Sequence, residues 1–152
     1  MHIENFYESQ DQQALIEKID QGDWRAAKFL AKLLREGTFQ QATGGGTVYL
    51  LMDEERIVSF VTLTRQDCIA DEKMYPWLGF FYTFPAYRGH RYGGQLLGYA
   101  AEEVKKRGCK QVYLATDHVG LYEKYGFFYL ESRTDIYGEE SRIYVKNLGG
   151  NV

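Results

Sequence analysis

Leu78-Gly79-Phe80-Phe81-Tyr82-Thr83-Phe84-Pro85-Ala86-Tyr87-Arg88-Gly89-His90-Arg91-Tyr92-Gly93-Gly94-Gln95-Leu96-Leu97 is the stretch on which the reading of this chain turns. It runs from an apolar strand through Pro85 into a basic, glycine-rich turn, and from there straight into an amphipathic helix. Trp77 to Phe84 is apolar on both faces except near Gly79, the pattern of a central strand. Gly79 points to a bulge or to a close approach of a ligand to the backbone. The helix carries Leu96, Leu97, Ala100, Ala101 and Val104 on one stripe, with Glu102, Glu103, Lys105, Lys106 and Arg107 opposite, and Gly108 stops it. Free amides at a helix start carry partial positive charge. Each such interaction with an anion is worth roughly 0.3–1 kcal/mol before Arg88 and Arg91 add theirs. The turn is therefore a candidate anion site.

Working outward, Gln111 to Thr116 reads as a parallel strand, which makes strand, helix and strand a right-handed crossover unit. Val119 to Tyr125 reads as a short helix stopped by Gly126, and Phe127 to Arg133 with Arg142 to Lys146 as a closing pair of strands. Toward the other end, His2 to Tyr7 is a first strand. Ser9 with Gln12 has capping-box spacing for a helix through about Ile19, whose Leu15, Ile16 and Ile19 share a side. Asp23 is an N-cap candidate for a second helix from Trp24 to Arg35, ending before Gly37. Gln40 to Gly46 reads as a flexible loop; its glycines lack the Gly-Lys-Ser/Thr ending of a phosphate-binding P-loop. Thr47 to Met52 and Ile57 to Thr64 flank Asp53-Glu54-Glu55-Arg56 as an antiparallel hairpin. Gln66 to Tyr75 is a loop with Asp67, Asp71 and Glu72, either a solvated connection or a negative rim for a cationic amine. No internal repeat or low-complexity tract interrupts the chain.

At 152 residues the chain reads as a single domain over 1–152 with enough apolar surface for a core. A hydrophobic share of 45%, with 13 Tyr and 9 Phe, argues against disorder. The net charge of -3 gives no overall attraction to a phosphate backbone, so no nucleic-acid partner is expected. Cys68 and Cys109 have no paired spacing, Met1 to Asn5 is no basic-then-apolar leader, and no apolar run nears the ~20 residues of a membrane span. A cytoplasmic protein without membrane association is expected. His2, His90 and His118 stand singly, away from the spacings that converge on an ion, so no metal is expected.

The order of elements, together with two segments, resembles the GNAT N-acetyltransferase superfamily over nearly the whole chain. Pro85 to Leu97 is similar to that family's pyrophosphate loop, of form Arg/Gln-x-x-Gly-x-Gly/Ala. Leu121-Tyr122-Glu123-Lys124-Tyr125-Gly126-Phe127 is similar to its C-terminal Tyr-Glu-Lys-x-Gly-Phe segment. The resemblance implies an α/β (α+β) fold: a mixed, mostly antiparallel twisted sheet of six to seven strands with about four helices, splayed at a central parallel pair. It also implies acetyl-CoA as co-substrate and direct attack by a small-molecule or peptide amine in a ternary complex. Phe81, Tyr82 and Thr83 would meet the pantetheine arm, and Arg88, Gly89, His90, Arg91, Tyr92, Gly93 and Gly94 the pyrophosphate.

The chain departs from the family pattern at Arg91, where the loop wants its first glycine. An arginine there either adopts helical φ/ψ or tolerates strain, with its guanidinium outward or at a phosphate. The resemblance gives Tyr122 the role of protonating the CoA sulfur, and a phenol of ordinary pKa near ~10 is able to donate at neutral pH. Packing against Leu121 and Phe127 is the alternative. The glutamate that relatives often carry on the fifth strand has no counterpart in Tyr113 to Thr116. Asp117 and His118 follow at that strand's end; His118, with an ordinary pKa near ~6.5, suits a proton relay through water, while Asp117 has a helix cap as its other reading. Asp67 is the third candidate base.

Three other readings compete. The missing glutamate keeps open a non-catalytic acyl-CoA-binding regulatory module. A covalent route through Cys68 with His118 and Asp117 is disfavoured, because acidic neighbours raise a thiol's pKa. A nucleic-acid module meets the wrong net charge. The acceptor is not named by the sequence, and the aromatic C-terminal half (Phe127, Phe128, Tyr129, Tyr137, Tyr144) suits a homodimer edge.

Overall fold

The β-branched and apolar runs either side of Asp53-Glu54-Glu55-Arg56 pair as expected, and the rest of the sheet grows from them. In the computed structural model, which describes residues 1–149, β1 (His2–Asn5), β2 (Gly46–Asp53), β3 (Arg56–Thr64), β4 (Trp77–Thr83), β5 (Gln111–Thr116), β6 (Phe128–Thr134) and β7 (Glu140–Asn147) form one sheet. Its order is β1-β2-β3-β4-β5-β7-β6. Every pairing is antiparallel except β4 with β5. The last three residues of the expected 1–152 unit lie outside the described residues.

Four helices flank the sheet: α1 (Gln12–Asp20), α2 (Arg25–Glu36), α3 (Phe39–Thr43) and α4 (Tyr92–Lys106). The stripe on α4 is buried against one face, where Leu96, Leu97, Ala100, Ala101 and Val104 meet Val61, Leu78 and Leu114. The larger of these side chains contribute roughly 1.5–3 kcal/mol each when fully buried. Helices α1 and α2 cover the other face through Ile16, Ile19, Ala27 and Leu30, against Leu50, Phe60 and Tyr82. A third cluster on that second face, Ile69, Met74, Trp77 and Ile143, anchors the loop before β4.

Four local expectations give way. α1 starts at Gln12 with Asp11 at its N-cap, and Ser9 instead accepts from the Asp11 amide at 3.2 Å, so the capping box is not formed. Trp24, not Asp23, occupies the N-cap of α2. The segment expected to be a flexible loop holds α3, because Phe39 is buried and Gln40 ties the turn by bonding both the amide and the carbonyl of Gly46 at 2.8 Å. Val119 to Tyr125 is not a helix; only Glu123–Tyr125 forms a 3-10 turn, with Tyr122 at its N-cap. Asp117 therefore has no helix to cap.

Candidate active site

The parallel pairing of β4 and β5 extends only over Trp77↔Tyr113 and Leu78↔Leu114. Beyond Leu78 the two strands part. The β5-facing backbone of β4 from Gly79 onward is thus left without a strand partner, an edge able to hydrogen-bond an extended ligand. Within the same stretch, Thr62 pairs with Gly79 and Phe60 with Tyr82, so β4 carries one residue more than β3. Phe80 takes up the difference at φ 48. The bulge anticipated at Gly79 is there, one residue on. It repeats the side of the sheet: Phe80 and Tyr82 both turn to the α2 face, while Phe81 packs on the α4 face.

The splay opens into a cleft of about 510 Å³ whose walls come from β4, the turn before α4, the α1–α2 connection and the segment after β5. At one end lie Arg88, Gly89, Arg91, Tyr92 and Gly93. Arg91 sits at the N-cap of α4 with φ 63 and ψ 18, so of its two options it takes the left-handed, strained one. An L-residue in that region costs roughly 1–2 kcal/mol. Arg91 is exposed, and Arg88 donates from Nε to the Thr83 carbonyl at 2.8 Å, which holds its guanidinium across the mouth. Two cations and the free amides of a 15-residue helix are therefore directed at one place.

Gly93 is small for a reason. A Cβ there would lie 2.6 Å from Phe81 Cζ and 3.0 Å from Thr83 Oγ1, so the helix start can approach β4 only without a side chain. Thr83 is itself fixed by a 3.0 Å hydrogen bond to Ser59 Oγ. His90 and Gly94, expected at the same loop, are outside the cleft wall: the His90 ring lies 5.5 Å from that of Tyr92, and Gly94 supports Tyr125.

Tyr122 is 5% exposed, boxed by the rings of Phe81, Phe127 and Tyr144 at 6.1, 6.2 and 6.3 Å. It both packs and lines the cleft. Burial, with lesser contributions from Tyr125 and Asp117, pushes its pKa well above the ordinary phenol value, so the hydroxyl keeps its proton. The neighbouring Tyr144 hydroxyl is engaged elsewhere, with Glu123 Oε2 at 3.2 Å. His118 is exposed on the wall, its amide bonded to Thr116 Oγ1 at 3.1 Å, whereas Asp117 is exposed and off the wall.

Several wall residues were not legible in the sequence. Trp24 stacks on Tyr82 at 5.7 Å and 7°, the Tyr82 hydroxyl accepts from the Asp23 amide at 3.0 Å, and Arg88 lies 5.4 Å over the same ring. The α1–α2 connection is thereby pinned over β4. Its only sequence signal is a tryptophan at a helix start, which periodicity does not place. Tyr87, Leu121 and Tyr125 complete the wall. The acidic loop divides. Asp71 is held below its ordinary range by its ion pair with Arg133 at 2.8 Å, whereas Asp67 turns inward to Gly79. Cys68 is poorly suited to nucleophilic attack, since burial and then the charges of Asp67 and Asp135 push its thiol up to about 12. Among the described residues, no group of His, Cys, Asp and Glu is placed to hold a metal, and no helix is long and apolar enough to cross a membrane.

A splayed parallel pair, a bulge in its first strand and a helix start at the mouth frame the cleft. The sequence matches the model of the acetyltransferase (GNAT) family over residues 5–127, and the chain belongs to that family. Its fold is also that of three solved enzymes. Aminoglycoside 6'-acetyltransferase type Ii is 19% identical with a TM-score of 0.74, covering 100% of both chains. An aminoglycoside 6'-N-acetyltransferase complexed with coenzyme A is 16% identical with a TM-score of 0.73, over 100% of this chain and 99% of that one. The aminoglycoside 6'-N-acetyltransferase of Enterococcus faecium is 16% identical with a TM-score of 0.72, over 100% and 99%. No curated protein matches the sequence.

Proposed function

We propose that this chain is a cytoplasmic, acetyl-CoA-dependent N-acetyltransferase that moves an acetyl group to a primary amine of a small molecule by direct attack in a ternary complex. The observation that carries the reading is one cleft lined by both a doubly basic helix start and a buried tyrosine. Those groups suit the phosphates and the sulfur of a CoA thioester. Arg88, Arg91 and the amides of Tyr92 and Gly93 neutralise the pyrophosphate, and the open β4 edge at Phe81 to Thr83 bonds the pantetheine amides. Tyr122 gives its proton to the sulfur as the C–S bond breaks. A phenol that stays protonated through the working pH range still holds its proton when the C–S bond breaks.

The acceptor in this reading is a small amine. Aminoglycosides, the substrates named for the neighbours above, belong in the first panel with polyamines and aromatic amines. The outer β6 strand presents Phe128, Tyr129 and Leu130 at 46%, 43% and 42% exposure, and a homodimer across that edge is part of the proposal.

Thiol release from acetyl-CoA, followed over the amine panel, tests the reading. Tyr122→Phe is expected to lower kcat by roughly 10²–10⁴ while leaving KM for acetyl-CoA near the wild-type value. Unchanged turnover would remove Tyr122 from the mechanism. Tight acetyl-CoA binding with no transfer to any amine would replace the enzyme by a sensor of acyl-CoA.

A further inference from the structure

We propose that Asp67, held against Gly79 on the sheet face opposite Tyr122, receives the cationic primary amine at the opening of the β4–β5 splay and takes its proton. The assignment rests on the N-acetyltransferase reading and supplies the base that reading leaves open. Three observations carry it. Gly79 is the first residue of β4 beyond the pairing with β5, next to the bulged Phe80, so a group touching it sits at the branch point of the sheet. The Asp67 carboxylate does touch it: a Cβ on Gly79 would meet Oδ2 at 3.1 Å and Oδ1 at 3.4 Å, beside Thr62 Oγ1 at 3.2 Å. The side chain that β4 lacks here makes room for a carboxylate.

The second observation is the face. The Tyr122 ring packs with Phe81 in the α4-side core, whereas Cys68, next to Asp67, packs with Trp77 and Ile143 on the α2 side. Acid and base thus flank the splay from opposite sides, so the attacking nitrogen and the departing sulfur are served by separate groups.

The third is charge. Among the described residues no cation pairs with Asp67; of the basic residues that engage its loop, Arg133 is occupied by Asp71 and Glu131 and Arg65 lies over the Tyr75 ring. The groups that feel its charge are the Cys68 thiol and the Tyr137 hydroxyl, on which Asp135 also acts, and none of them is positive. Burial, opposed by the Cys68 amide, raises the Asp67 carboxyl to about 7. An ammonium group is the missing partner, since an opposite charge at this site returns the acid to its carboxylate form. The carboxylate then accepts one proton from the ammonium, and the neutral nitrogen forms the C–N bond as the C–S bond breaks. Tyr122 protonates the thiolate and recovers a proton, through water, from the acylated nitrogen. Asp67 releases its own to solvent, so one proton is produced per turnover.

The full chain, wild type and Asp67→Asn, is compared in three measurements. Calorimetric titration of kanamycin, spermidine and tyramine into CoA-saturated protein at pH 8 is expected to show the best-bound amine weakened about tenfold or more in Asp67→Asn, with CoA affinity unchanged. A fall in kcat/KM below about pH 7 is expected in wild type and is expected to vanish in Asp67→Asn with the bulk of the rate. Thermal melting supplies a readout free of turnover. A carboxyl raised in the fold costs stability as pH rises from its ordinary value through about 7, so Asp67→Asn should melt above wild type at pH 8 and level with it at pH 4. A wild type that acetylates an amine while Asp67→Asn matches it in amine affinity and pH profile overturns this assignment alone. Asp67-dependent amine binding without transfer keeps the cation site and overturns the enzyme reading. A wild type that neither binds nor acetylates any of the three amines overturns both.

Discussion

Arg91 is where the cost of the phosphate end is concentrated. Its left-handed backbone, φ 63, is what lets the chain reverse into α4, and glycine would adopt it freely. Arg91→Gly removes about 1–2 kcal/mol of strain and gives back about 0.5–1 through the freer unfolded chain, so thermal melts should show a net gain of up to about 1.5 kcal/mol. If the guanidinium meets the pyrophosphate, the same variant binds acetyl-CoA about tenfold more weakly, since a charge-assisted hydrogen bond is worth about 1.5–3 kcal/mol. Unchanged affinity would leave the phosphates to Arg88 and the loop amides. Retention of a strained arginine at a tight turn is what a charge worth more to binding than to stability would produce.

At the scale of elements, the cleft depends on how closely α4 lies on β4. Gly93→Ala places a methyl 2.6 Å from the Phe81 ring, and the helix start or the ring has to shift. Overpacking of that kind costs roughly 1–3 kcal/mol, and a displaced Phe81 narrows the cleft. Both a lower melting temperature and a raised KM for acetyl-CoA are expected; a change in neither would show that the contact relaxes without consequence. Strand β4 was readable as central and bulged because it is apolar on both faces and interrupted by one glycine. The residue that fills the glycine's space was not readable, because Asp67 reaches Gly79 only through a loop whose path Trp77 and Met74 set.

The whole molecule hangs its three apolar clusters on one sheet, and Trp77 ties the third to it. Its side chain is fully buried, and its indole Nε1 donates to the Met74 carbonyl at 2.7 Å. Trp77→Ala is expected to cost about 3–5 kcal/mol by cavity formation, with a single cooperative transition by circular dichroism and fluorescence alike if 1–152 is one folding unit. Loosening of the 66–75 loop in that variant should also relax Asp67 toward an ordinary carboxyl. Two separate transitions would divide the chain.

The sequence by itself determined the sheet-helix-sheet order, the basic turn into α4 and the candidate Tyr122, because those features are local: periodicity, turn chemistry and a short motif act over a few residues. It misjudged the 40–46 and 119–125 segments for the same reason. A short helix at Phe39–Thr43 exists because Phe39 is buried and Gln40 bonds Gly46, and the 119–125 segment stays irregular while Tyr122 packs among three rings. Only the tertiary structure decided that β4 and β5 part after Leu78, that Trp24 and Asp23 close over Tyr82, and that Asp67 rather than Asp71 turns to Gly79. Those choices are made by contacts between residues distant in the chain, where burial and an unpaired charge outweigh any preference that a residue's own neighbours express.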